Sequence, residues 1–100
     1  MRLTLVTGTF SADHKRPYGA ERHGHDWHVE AEFAADGHKD GPQFFLDEVL
    51  GHLDHGFLDE LVPDPTNEGV AEWIGKQMRA HRVLVYRYDR GRKFGAIWTP

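Results

Sequence analysis

One hundred residues with a formal charge of −4 make a single domain, residues 1–100, with a modest core and no basic stripe to bind nucleic acid. Cysteine is absent, which excludes disulfides, thiolate chemistry and cysteine-type zinc sites, whereas eight histidines leave imidazole and oxygen ligands in play. No apolar stretch approaches membrane length, and MRLTLVTGTF lacks a signal-peptide apolar region, so a soluble cytoplasmic protein with no membrane partner is expected.

Residues 2–10 alternate in part, with Leu3 and Leu5 on one face and Arg2 and Thr4 on the other, which suggests a strand. Residues 25–33 alternate more regularly. Trp27, Val29, Ala31 and Phe33 share one face of that strand, and His28, Glu30 and Glu32 the other. The segment ADGHKDG, residues 35–41, reads as a loop. Leu46, Val49, Leu50 and Leu53 then recur at helical spacing, predicting a short amphipathic helix over 46–53. Two prolines in LVPDPT break the chain. Thr66 is placed to cap a second helix over 68–81, with Glu68 suiting its dipole and Val70, Ala71, Ile74 and Met78 on the buried side. RVLVYRY and RKFGAIW flank Asp89-Arg90-Gly91 as a β-hairpin. The order ββααββ predicts an α+β fold: a four-stranded antiparallel sheet with two helices on one face. The polar face carrying His28, Glu30 and Glu32 would look toward water, a central tunnel or another subunit.

The stretch RHGHDWH holds three histidines in seven positions. His23 and His25, two apart in a strand, leave the same face, whereas His28 has the opposite parity. His14 ends the first strand nine residues earlier, and an intervening loop over 15–22 would bring it beside the pair. Three imidazoles without a fourth protein ligand match a catalytic zinc site with one open position. The same residues also fit a solvated polar face, and imidazoles accept nickel, copper or iron as well as zinc.

Further motifs follow in order: FSADH, RHGHDW, LDH and PTNE. Together they resemble the 6-pyruvoyl-tetrahydropterin synthase and 6-carboxytetrahydropterin synthase family over nearly the whole chain, from Phe10 to the final hairpin. The resemblance implies the tunnelling fold, whose subunits form trimers with sheets joined into a barrel and stack into hexamers with sites between subunits. It implies Zn2+ held by His14, His23 and His25, and a proton relay that includes Asp54 and His55. An aspartate paired with a histidine fixes the ring's tautomer and raises its basicity. Thr66 and Glu68 match pocket residues of the family.

The chain departs from that pattern in three places. Synthases of the family use a cysteine four positions before the HGH, where this chain has Gly19. Glu21 is the nearest substitute, as a related subfamily uses glutamate there and shifts toward side-chain cleavage; Asp13 and Asp26 are lesser candidates. The family's pterin-anchoring glutamate corresponds to Arg87, which has five donors and no acceptor and so suits a carboxylate or phosphate instead. Finally, the first helix looks about two turns short, with Phe45 where the family has an aspartate.

The function expected from these features is that of a zinc-dependent lyase or cyclase. It would act on a small pterin-like or altered, anionic molecule by metal-assisted proton transfer with elimination or carbon–carbon cleavage. His55, supported by Asp54, would move one proton and Glu21 the opposite one, and the protein would be a homo-oligomer. Two alternatives are ordinary synthase activity on dihydroneopterin triphosphate and a non-catalytic metal- or ligand-binding scaffold.

Overall fold

In the computed structural model, which describes residues 1–17, 19–34 and 40–100, two twelve-residue strands lie side by side: β1 (Leu3–His14) and β2 (His23–Ala34). They pair antiparallel from Leu3↔Ala34 to His14↔His23. Directly opposed residues share a face, so one register assigns every side chain of both strands at once. Phe10 faces Trp27, and Val6 faces Ala31, which puts this set in the core. Leu3 and Leu5 consequently fall on the outer face, where Leu5 is 55% exposed. Their alternation was real, but the core side of β1 belongs to Val6, Phe10, Ala12 and His14.

Three helices follow: α1 (Asp40–Leu53), α2 (Leu58–Leu61) and α3 (Asn67–Met78). The first is fourteen residues long and starts six residues ahead of the expected 46–53 segment. Its opening turns escape the periodic pattern because Phe44 and Phe45 are exposed there, while Leu46, Val49, Leu50 and Leu53 carry the buried stripe. Of the expected loop over 35–41, residues 35–39, His38 among them, lie outside the described residues, and Asp40 and Gly41 begin α1. The four-residue α2 was not expected; it buries Leu58.

Thr66 caps α3 as expected, its hydroxyl accepting the Gly69 amide at 3.1 Å. The helix ends at Met78, three residues before the expected His81. Arg79 adopts a left-handed conformation there, and the Ala80 amide donates to Gly75. The chain then turns back into the sheet, with the His81 amide donating to the Glu32 carbonyl.

β3 (Arg82–Asp89) pairs with β2, and β4 (Arg92–Trp98) with β3, completing an antiparallel sheet in chain order. Asp89 and Arg92 flank a two-residue turn in which Arg90 and Gly91 both have positive φ, 51° and 77°, the signature of a type I′ hairpin. The α+β plan is therefore present, with α1 packed on β1 and α3 on β3 and β4. Two close approaches set these helices. A Cβ on Gly8 would lie 2.6 Å from Leu50 Cδ1, and one on Gly75 would collide with the Trp98 ring. Among the described residues no helix is long and apolar enough to cross a membrane.

Candidate metal centre

At the end of the β1–β2 pair where residues 15–22 connect the strands, the inner-face side chains change from apolar to imidazole. His14 lies opposite His23, and Ala12 opposite His25, so register brings all three rings to one place. The ring centroids form a near-equilateral triangle, 4.6, 4.8 and 5.0 Å on a side, with the planes nearly perpendicular. Trp27 closes the core side, edge-on to His14 at 5.0 Å and to His25 at 6.0 Å, while its indole N–H donates to the Ala12 carbonyl.

Backbone carbonyls orient two of the rings. His14 Nδ1 lies 2.7 Å from the Pro65 carbonyl, and His23 Nδ1 2.7 Å from the Glu21 carbonyl. A carbonyl can only accept, so both Nδ1 atoms carry a proton, and in the neutral ring the lone pair belongs to Nε2. Nε2 of His14 and of His25 is buried without any hydrogen-bond partner. Burial, followed by the nearby Arg87 charge, pushes His25 down to about 4, and burial likewise lowers His14. Both rings are therefore neutral near pH 7, the form that ligates a metal.

One ligand atom from each residue lies within 4.8 Å of the others, and among the described residues no fourth histidine or carboxylate joins the group. Tetrahedral zinc with bonds of about 2.0–2.1 Å needs nitrogens roughly 3.3 Å apart, so small side-chain rotations would close the triangle. The three histidines could hold a metal ion. Orphaned lone pairs, fixed tautomers and a three-nitrogen donor set all fit one.

Two cavities flank the triangle. One, of about 240 Å³, is lined by His14, Arg16, Pro17, Thr66, Asn67, Glu68 and Arg87, so the structure brings the three expected pocket residues to His14. The other, of about 490 Å³, is lined by Ser11, Ala12, Asp13, Gly24, His25, Asp26 and His55. Asp26 points to the outer face, where it accepts from the Ser11 hydroxyl at 2.6 Å, and Asp13 pairs with Arg22 at 2.9 Å. Of the other histidines, His28 is on the outer face stacked on Tyr86, and His52 lies on α1.

The Asp54-His55 pair is positioned by the free edge of β1. After α1 ends, the chain runs alongside that edge. The Ser11 amide donates to Asp54 Oδ1 at 2.9 Å, the His55 amide to the Ser11 carbonyl at 2.6 Å, and the Asp13 amide to the Gly56 carbonyl at 3.0 Å. His55 takes φ of 61° to make this turn. Its Nδ1 lies 2.9 Å from Asp54 Oδ2, and its side chain is 84% exposed. The Ser11 amide first, and His55 after it, hold the Asp54 carboxyl below the usual range. The pair thus stands at the edge of the sheet, with the His55 ring turned to solvent.

Glu21 is exposed in the β1–β2 connection and lines neither cavity; its carbonyl, by orienting His23, is what reaches the metal group. Gly19 has φ of 85° with open space around it. Sequence reasoning missed the Pro65 carbonyl and Asn67, whose Oδ1 accepts from Arg87 Nε at 3.1 Å. Pro65 and Asn67 bracket Thr66 in a motif already singled out, but backbone acceptors leave no mark in residue type. The chain matches no protein-family model and no curated protein sequence.

Proposed function

We propose that this chain is a zinc-dependent lyase or cyclase of the 6-pyruvoyl- and 6-carboxytetrahydropterin synthase kind, with the tunnelling fold, acting on a small anionic substrate. The observation that carries the reading is the set of three inner-face imidazoles. Two have their Nδ1 atoms tied to carbonyls, two have buried Nε2 atoms without partners, and a cavity containing Arg87 lies beside them.

His14, His23 and His25 would hold the ion. Bound there, zinc supplies a Lewis acid that polarises a hydroxyl or carbonyl oxygen of the substrate. His55 does the proton work. With Nδ1–H donated to Asp54, its Nε2 is the basic nitrogen and would take a proton from a substrate carbon. Arg87 binds the anionic part of the substrate, with Thr66 and Glu68 on the cavity wall. Glu21 serves the opposite proton once the β1–β2 connection is packed against a neighbour. The exposure of His55 at a sheet edge supports a homo-oligomer, a trimer or hexamer, in which the pair of one subunit completes the site of another.

A second reading, a non-catalytic metal-binding scaffold, is favoured by Gly19 at the expected cysteine position and by Glu21 lining neither cavity. One experiment separates the two. The purified protein is assayed for bound metal, for oligomeric state and for turnover of dihydroneopterin triphosphate and anionic analogues. One zinc per chain, with turnover that falls roughly 10²–10⁴-fold in His55→Ala at unchanged zinc content, supports the enzyme. Zinc without any turnover supports the scaffold, and a chain that binds no metal overturns both.

A further inference from the structure

Arg87 is held like a recognition element. Its guanidinium carbon lies 4.7 Å over the Trp27 ring and 5.1 Å from the Phe94 ring, both inner-face neighbours on the adjoining strands. Its Nε donates to Asn67 Oδ1 at 3.1 Å. The two rings confine the guanidinium, and the Asn67 bond anchors its Nε. The two Nη groups have no protein acceptor or ion-pair partner among the described residues. A half-buried cation with a fixed, unsatisfied donor edge is costly in an isolated chain and is an anion site in waiting.

The cavity that Arg87 lines defines what fits. At about 240 Å³ it equals roughly eight waters and falls below the usual range for a drug-sized ligand, so it admits a small group rather than a ring system. His14 lines the same cavity, and Arg87 is close enough to both His14 and His25 to lower their basicity. Glu68, at the exposed rim, disfavours highly charged anions and tolerates a monoanion.

We propose that Arg87 is a carboxylate-binding residue and that this cavity takes a 2-hydroxy- or 2-oxo-carboxylate group. The two carboxylate oxygens lie on the Nη edge of Arg87, and the neighbouring hydroxyl or carbonyl oxygen turns toward the three imidazoles. The position of that second oxygen rests on the zinc reading above; the carboxylate contact rests on Arg87 alone.

The test follows the guanidinium signals of Arg87 by ¹⁵N NMR while glycolate, oxalate, acetate or inorganic phosphate is titrated into the full chain, with zinc content measured on the same samples. Saturable movement of the Arg87 signals by glycolate is expected. The affinity should drop roughly tenfold to a hundredfold in Arg87→Gln, and by less in Arg87→Lys, which keeps the charge but loses the planar fork. If the Gln variant does not fold, the Lys variant carries the comparison. Zinc-free protein whose Arg87 signals still respond to carboxylate supports the proposal while removing the zinc reading. Zinc-loaded protein whose Arg87 signals ignore carboxylate overturns the proposal and leaves the zinc reading standing. Phosphate binding as tight as glycolate, or an unchanged affinity in Arg87→Gln, also overturns it.

Discussion

Replacing His14 by alanine tests the metal centre through stability rather than turnover. The ring is 2% exposed, packed edge-on against Trp27, and bonded to the Pro65 carbonyl at 2.7 Å. In the metal-free chain its removal loses that bond and strands the carbonyl, about 1–2 kcal/mol. It also leaves a ring-sized void, about 2–3 kcal/mol. Against this, the unpartnered Nε2 disappears, which returns about 1 kcal/mol. The net loss is about 2–4 kcal/mol, on the order of 10–20 °C in Tm for a domain of this size. Zinc at a hundred times its Kd should then stabilise the unsubstituted chain by a further ~2.7 kcal/mol and His14→Ala by almost nothing. Urea unfolding at pH 7.5, with chelator and with zinc, measures both differences. His28→Ala, altered on the outer face, should keep the full zinc response. An equal zinc response in His14→Ala would refute the assignment of His14 as a ligand.

The metal-free protein should lose stability on mild acidification. His25 titrates near 4 in the folded chain and near 6.5 when unfolded, so between these values the unfolded chain alone gains the proton. The lowered His14 acts in the same direction. Urea midpoints should fall from pH 6.5 toward 4 and the fall should be shallower in His25→Ala; a rise over that interval would contradict the burial argument. Gly75→Ala should lower the Tm through collision with the Trp98 ring, at a cost of about 1–3 kcal/mol, whereas Gly51→Ala on exposed α1, with open space at its Cβ position, should be neutral or stabilising. Thermal unfolding of the two variants in parallel measures the contrast.

Local pattern by itself determined the elements whose signals are short-ranged. The parity of β2 separated His23, His25 and Trp27 from His28; the Thr66 hydroxyl announced the start of α3; the turn at Arg90-Gly91 marked the hairpin. These follow from side-chain alternation, capping and left-handed turn geometry, which operate within a few residues. Tertiary structure decided the rest. Leu3 and Leu5 alternate as a core face would, yet pairing Phe10 with Trp27 turned them outward, because register is set by the strand as a whole. The exposed Phe44 and Phe45 hid the beginning of α1 for want of a periodic signal. The acceptors that orient His14 and Arg87 come from residues 51 and 20 positions away, and Asp54-His55 is placed by a strand edge 43 residues distant. Ligand identity was written in residue type, but ligand orientation depends on carbonyls and edges that every residue carries and only the folded chain brings into place.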